Sequence, residues 1–310
     1  MKPALSVILL TTLIGAGQGL FLALFAAQLA LPTDTPLLSV WLWQGTLLAL
    51  LLCGLGLLAS FFHLGRPERA WRAATMWRTS WLSREVIVLP LFMLALFAYG
   101  VAQFLGAGYS LLLGWLAVLL CLALFVCTAM VYASIRFLQE WASPLTFVNY
   151  LLLGCASGFS LTTLLAACSM PELARPYAVA AALLTLAGLL SRVASLLRNA
   201  RLVPKSTLQS AIGIKHPRIV QKAQGFMGGS FNTREFFHGK SLAWVRGVKW
   251  FFLLFAFALP LLCLALGLVT GATVPLLLAF GLQYIGLLAE RWFFFAQARH
   301  PQNLYYQAMA

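Results

Sequence analysis

The sequence has very few charged residues for its length, and this scarcity excludes a soluble domain. Only 9% of the 310 residues are Asp, Glu, Lys or Arg, whereas 62% are hydrophobic. Acidic residues are the rarer charges, with 7 Asp and Glu against 21 Lys and Arg. A composition this apolar lies far outside the range of soluble domains and is typical of a protein with several membrane-spanning segments.

Cysteine and histidine are also scarce, and their positions exclude the usual metal cofactors. The six cysteines fall inside apolar runs without the Cys-x-x-Cys spacing of zinc or iron–sulfur sites. A membrane b-type haem needs two axial imidazoles from spanning helices, whereas the four histidines fall in loops or at a helix edge. We therefore expect no haem, no iron–sulfur cluster and no metal in this chain. The residues concerned are Cys53, Cys121, Cys127, Cys155, Cys168 and Cys263, and His63, His216, His238 and His300.

What the sequence does contain is eight apolar runs, each long enough to cross a membrane, which takes about 20 residues per helix. The runs are continuous and do not alternate, so they predict helices and exclude a transmembrane barrel. The first run is about twice as long as the apolar part of a signal peptide, so we interpret it as a retained helix. The fold class is therefore all-α, one polytopic transmembrane domain over residues 1–310. The predicted spans are residues 5–31, 38–62, 83–105, 109–132, 145–168, 176–196, 242–270 and 274–295.

The middles of these spans lack charge, which weakens a transporter interpretation. Ion-coupled transporters usually place charged groups near the midplane. The polar exception is Gln18, whose amide needs a partner helix or a ligand. The glycines of the first, second and fifth spans, including the Gly-x-x-x-Gly pair Gly154 and Gly158, favour close helix packing.

Lysine and arginine predict the orientation. All of them except Arg175 fall on one side of the predicted spans. Short-loop Lys and Arg stay in the cytoplasm, so both termini are expected there, in the inner membrane of a bacterium. The same bias accounts for the net charge of +14 without nucleic acid, helped by attraction to anionic lipid.

The long loops all fall on this cytoplasmic side. The loop over residues 197–241 mixes Gly, aromatic and basic residues, unlike a flexible linker. Phenylalanines exposed to water on this loop would favour aggregation, so we expect a partner subunit to bury them. The alternative is that they lie at the lipid interface as an aromatic belt. The predicted docking residues are Arg69, Arg72, Phe226, Phe231, Arg234, Phe236, Phe237 and His238.

Titratable residues crowd around the end of the second span and the start of the third. His63 ends one helix before Pro67, and Glu85 opens the next, so the two could face one cavity at the same depth. An imidazole and a carboxylate are suited to exchanging protons with a reducible ligand. The alternative is structural: Arg66 pairs with Glu85, and His63 caps a helix C-terminus.

The run Phe-His-Leu-Gly-Arg-Pro at residues 62–67, the arginine-rich loop after it and Ser-x-Glu at residues 83–85 resemble the membrane anchor subunits of the dimethyl sulfoxide reductase family. The Gly-Gln pair at residues 17–18 is similar as well. The resemblance implies an anchor that holds an iron–sulfur subunit and a molybdopterin catalytic subunit. Such anchors exchange electrons with the quinone pool and carry no cofactor of their own.

Carried onto this chain, the resemblance implies a quinone site at His63 and Glu85. We add Arg66 as a stabiliser of negative charge on the ring and Gln18 as a further contact, and assign no catalytic residue. Because the loops are predicted to be cytoplasmic, the chain most resembles the anchors of cytoplasm-facing sulfite-oxidising complexes. In such complexes electrons from sulfite reduce quinone. The alternatives are an anchor that oxidises quinol for a dimethyl sulfoxide or related reductase, a small-anion transporter and a purely structural anchor.

Overall fold

The structure is a computed structural model that describes residues 4–31, 36–220 and 242–299. Across these residues every regular element is helical, and eight helical segments are long and apolar enough to cross a membrane. The prediction of an all-α polytopic membrane protein is therefore confirmed. The helices are α1 Leu5–Ala30, α2 Pro36–Phe61, α3 Trp81–Phe104, α4 Ser110–Ala133, α5 Pro144–Ser169, α6 Pro171–Ala200, the short α7 Leu208–Ile212, α8 Leu242–Leu253, α9 Leu259–Thr270 and α10 Thr273–Ala296.

Helix α1 is the most buried span and organises the bundle. It packs mainly on α2 and α5, with smaller contacts to α4 and α10. Its buried face includes Phe21 and Phe25, whose rings meet Tyr99 of α3 edge to face at 5.6 and 6.2 Å. Such aromatic pairs add to the stability that burial alone provides.

Small residues allow α1 and α5 to approach at backbone distance. A Cβ atom added to Gly158 would lie 2.1 Å from the carbonyl carbon of Gly19, and one added to Gly19 would lie 2.2 Å from the carbonyl oxygen of Gly154. Membrane helices associate through such packing because lipid supplies no hydrophobic driving force between them. The expected packing function of Gly154 and Gly158 is confirmed. Gly54 differs, since its nearest neighbour is 4.0 Å away.

The seventh span is interrupted by a π-helical turn, Leu254–Ala258, between α8 and α9. This turn lies against Gly286 of α10, where an added Cβ would come within 2.1 Å of the backbone nitrogen of Ala256. A π-turn bulges the backbone outward, so the facing residue must be glycine.

The second helix ends earlier than the sequence predicts. It ends at Phe61, and the next residues form tight turns in which the amides of Phe62 and His63 bond to the carbonyls of Ala59 and Ser60. Pro67 then begins a 3₁₀ helix, Pro67–Ala74, because proline suits a first helical position. We name residues 62–80 the connecting segment; the predicted His63 site lies in it.

The connecting segment is fastened to α3 by an arginine. The Arg84 side chain donates hydrogen bonds of 2.9 Å to the carbonyls of Trp77 and Arg78, and its guanidinium lies over Trp81. These contacts fix how the arginine-rich loop meets the start of α3, next to Glu85.

Candidate functional site

A layer of polar side chains lies inside the arginine-rich end of the bundle. Glu85 of α3, Thr128 of α4, Tyr150 of α5 and Glu290 of α10 each lie within about two turns of their helix end on that side. The sequence does not predict this layer, because the four residues come from four different spans. Only the packing of the helices brings these positions to one depth.

Part of this layer surrounds an internal cavity of about 20 Å³. The cavity lies between α1, α3, α4, α5 and α10. Its polar wall consists of Thr11, Thr12, Gln18, Glu85, Thr128, Tyr150, Ser157 and Arg291.

Glu85 is half-buried and is held by one short hydrogen bond. The Thr128 hydroxyl donates to its Oε1 at 2.6 Å. This distance is at the short end of the range for O–H···O hydrogen bonds. This contact fixes the carboxyl group at the wall of the cavity, whereas Arg66 is exposed in the connecting segment.

A buried ion triad continues the layer on the other side of the cavity. Arg192 Nε lies 2.7 Å from Glu290 Oε1, and Arg291 Nε lies 3.7 Å from Glu290 Oε2. The Arg291 guanidinium also lies over the Tyr150 ring, with Cζ 3.6 Å from its centre. The sequence places both arginines among the cytoplasmic loop charges, but they are buried in α6 and α10.

Gln18 connects α1 to α4 and also borders the cavity. Its Nε2 donates to the backbone carbonyl of Cys121 at 2.9 Å. The amide is predicted to need a partner helix or a ligand, and helix α4 supplies the first of these. The bond leaves the amide oxygen of Gln18 for the cavity or a ligand.

His63 borders a second, larger space. An open groove of about 570 Å³ runs between the start of α1 and the end of α2, with His63 and Phe62 at its mouth. Its walls are almost entirely apolar. They are formed by Ala4, Leu5, Ser6, Leu9, Leu55, Leu58 and Ala59.

The structure therefore assigns His63 and Glu85 to separate spaces. At 3.6 residues per turn, Leu5 and Leu9 of the groove lie on one face of α1, and Ile14 and Gln18 of the cavity lie on the opposite face. Helix α1 stands between the groove and the cavity. The sequence suggests one shared cavity because it cannot show which faces of α1 the two neighbours meet.

The groove lowers the pKa of His63. Partial burial removes water from the imidazole and disfavours its charged form, so its pKa lies below the ordinary value of 6.5. At neutral pH the ring is uncharged, and one nitrogen can donate while the other accepts.

The predicted docking residues fall into two groups. Arg69 and Arg72 are exposed on the 3₁₀ helix, where Arg72 lies over the exposed Trp71 and Arg69 is 3.8 Å from Glu68. The others lie outside the described residues. These are Phe226, Phe231, Arg234, Phe236, Phe237 and His238.

Within the described ranges, no group of three or more His, Cys, Asp or Glu side chains could hold a metal ion. Cys53, Cys121 and Cys155 are free and buried, and Cys121 makes a weak sulfur contact with the backbone carbonyl of Gln18 at 3.8 Å. In this part of the chain the cysteines serve as packing residues.

Two comparisons with known proteins agree with this architecture. Residues 1–220 match the protein family described as DMSO reductase anchor subunit (DmsC). The chain is also 54% identical to the C subunit of the sulfite dehydrogenase of Allochromatium vinosum, and the similarity covers all of both chains. This second likeness includes the rest of the long loop after residue 220 and the last two spans, which the family match does not reach.

Proposed function

Because this chain belongs to the family of DMSO reductase anchor subunits, we propose that it passes electrons between an iron–sulfur partner and membrane quinone. The observation that carries the quinone site is the apolar groove that ends at His63. Its volume of about 570 Å³ is in the usual range for small-molecule sites, which are mostly apolar with a few polar groups. Quinone enters this groove from the lipid, between α1 and α2.

His63 is the polar group that orients the quinone ring. Its neutral imidazole donates a hydrogen bond to one carbonyl oxygen, and its second nitrogen takes up a replacement proton as the first is passed on. Reduction of one quinone consumes two electrons from the partner and two protons. Exposed Arg66, three residues further along, attracts the negative charge that develops on the oxygens.

Glu85 supplies protons in this proposal. Its carboxyl lies at the cavity, in the helix that directly follows the connecting segment with His63. Gln18 lies at the same cavity and keeps α1 in place between the two spaces. The site therefore comprises a ring-binding groove at His63 and a proton-handling cavity at Glu85 and Gln18.

The partner subunits bind on the arginine-rich face. Arg69 and Arg72 are exposed there, beside Trp71. The aromatic and basic residues 226–238 lie outside the described residues, and the sequence predicts them in the cytoplasmic loop. Charged rims steer association, and exposed aromatic residues anchor an interface. An iron–sulfur subunit docked here brings its terminal cluster close to His63, and the molybdopterin subunit binds behind it.

The favoured reaction is oxidation of sulfite to sulfate with reduction of quinone. Support comes from the 54% identity to the C subunit of a sulfite dehydrogenase over the full length, and from the positive charge of the face that would hold the catalytic partners. That face lies in the cytoplasm according to the distribution of Lys and Arg.

A second candidate follows from the family itself, whose description names a DMSO reductase. In that case electrons run from quinol to the partner, and His63 accepts protons. The groove is compatible with either direction of electron transfer, since it contacts the quinone ring and not the substrate of the partner.

Replacing His63 by Ala in the assembled complex tests the proposal. We expect quinone reduction to fall at least about 100-fold, in line with loss of a positioned acid–base group, with dye-linked oxidation of sulfite unchanged. The matched control is His216→Ala, because His216 is an exposed histidine whose ring bonds to the backbone of Arg218. Normal quinone turnover in the His63 variant would refute the assignment.

A further inference from the structure

The internal cavity is bordered by a buried donor without a protein partner. Nη1 of Arg291 is buried, and among the described residues it has no hydrogen-bond partner, whereas the hydroxyl of Tyr150 has only that of Tyr132 beside it. Arg291 and Tyr150 both line the cavity. Buried donors are nearly always satisfied by protein or by ordered water, so Nη1 of Arg291 requires a ligand.

The size of the cavity limits which ligands can bind in it. A void needs roughly 10–15 Å³ to hold one water molecule, and this one has about 20 Å³. It is much too small for a quinone ring. Arg291, Tyr150, Gln18 and Glu85 all line the cavity, so it offers water the two to four polar partners that a buried water needs.

The charged side chains around the cavity indicate what this water does. The triad of Arg192, Glu290 and Arg291 carries one net positive charge in the apolar interior. An uncompensated charge there is costly, and Glu85 is the acidic side chain that lines the same cavity as Arg291. Arg291 is the member of the triad that reaches the cavity wall.

Other groups near Glu85 do not supply this compensation. Helix α2, which packs against α3, carries no charged residue, and Arg84 is turned toward the connecting segment. Exposed Arg69 and Arg72 lie on the 3₁₀ helix in contact with water. The remaining titratable neighbours are Cys127 and Tyr132 of α4, Tyr150 of α5 and Glu290 of α10, and none of these side chains can carry a positive charge.

We propose that the cavity binds ordered water that links Glu85 to Arg291 and Tyr150, and that Arg291 is a positioning residue for the protonation of Glu85. Glu290 and Arg192 hold Arg291 at the wall. Only O–H bonds change: the ordered water gives a proton to the Glu85 carboxylate, and its O–H bond forms again when Glu85 releases that proton to it. The use of this proton for quinone rests on the proposed function, but the water site does not.

Infrared difference spectroscopy of the purified complex during pH titration tests this inference. The carbonyl stretch of protonated Glu85 is identified by its loss in Glu85→Gln, and bound water by its shift in H₂¹⁸O. We expect Arg291→Gln to move the Glu85 midpoint upward by about one pH unit, because a nearby cation is lost. Arg291→Lys keeps the charge and should restore most of the shift. The matched control is Arg198→Gln, since Arg198 lies in α6 but bonds to Gln139, Ala142 and Asn199 and does not line the cavity.

A second variant tests the water without removing a charge. Gly15 lines the cavity, and a Cβ there meets only the Cα of Gly154 at 3.5 Å, so Gly15→Ala fits and displaces water. The water band should disappear in this variant and persist in Gly54→Ala, whose site is open and lies elsewhere.

Unchanged midpoints in Arg291→Gln, or a water band that survives Gly15→Ala, would overturn the inference. The spectra require no quinone turnover. A complex that shows both effects but reduces quinone normally without His63 would overturn the proposed function alone.

Discussion

Arg192 Nε lies 2.7 Å from Glu290 Oε1, with both side chains about 1% exposed, and this contact ties α6 to α10 inside the apolar bundle. The two residues are far apart in the chain. Burying either charge alone would carry a large desolvation cost, and the attraction between the two side chains offsets this cost.

Replacing one residue of the pair should therefore destabilise the protein more than replacing both. We expect Arg192→Met to cost roughly 3–5 kcal/mol, because Glu290 would keep a buried charge with only Arg291 nearby. The double variant Arg192→Met, Glu290→Met should recover much of this loss. Thermal unfolding of the complex in detergent, with the two single variants and the double variant measured together, gives the coupling energy. Additive effects would contradict the pairing.

Replacing Gly158 by Ala should prevent α1 and α5 from packing. The new Cβ would come within 2.1 Å of the backbone of Gly19 and Leu20, which cannot move aside as a flexible side chain could. We expect the yield of assembled complex to fall severely. Gly54→Ala is the matched control, because its Cβ meets nothing closer than 4.0 Å. Equal yields of the two variants would show that α1 and α5 are further apart than described.

Filling the groove should weaken quinone binding without unfolding the bundle. Leu55 lines the groove, and Leu55→Trp would occupy part of its volume. We expect KM for quinone to rise about tenfold or more, which corresponds to about 1.4 kcal/mol. The control is Leu51→Trp, one turn earlier on α2, where the side chain is also exposed but does not line the groove. A similar KM in both variants would place the quinone elsewhere.

The pH dependence of quinone reduction should reflect His63. Its pKa lies below 6.5, because partial burial disfavours the imidazolium. The neutral ring, which can accept a proton, is therefore fully present above that value and is lost as pH falls through the lowered pKa. We expect the rate of quinone reduction to stay constant down to pH 6.5 and to decline below it. The dye-linked rate should show no such decline. A decline that begins well above pH 6.5 would assign the pH dependence to another group.

Reporter fusions test the orientation. Gly106, at a left-handed φ of 63°, begins the short turn before α4, and no atom lies within 4 Å of a Cβ added there, so an insertion should be tolerated. We expect a periplasm-active phosphatase fused at Gly106 to be active and the same enzyme fused at Val203 to be inactive. The opposite pattern would reverse the orientation and favour the reductase candidate.

Much of the architecture was determined by the sequence alone. Continuous apolar runs require helices in lipid, since every backbone amide must find a partner within its own segment. The predicted spans consequently agree with the observed helices to within a few residues at most ends. The largest differences are in α6, which begins at Pro171 and extends to Ala200, because proline is accepted in a first turn and the polar final turns continue beyond the apolar run. The motif around His63 was also visible, because charge is rare enough here to be conspicuous.

The tertiary structure decided which of these residues meet. Gln18 and Glu85 come to one cavity, and His63 to a groove on the opposite face of α1, because side-chain direction depends on the rotation of each helix about its axis. Hydropathy fixes the length of a span but not that rotation. The triad of Arg192, Glu290 and Arg291 shows the same limit, since only packing places its two arginines beside a buried carboxylate instead of in a loop. The sequence determined what crosses the membrane, and the close contacts between glycines, ion pairs and aromatic rings decided what lies together inside it.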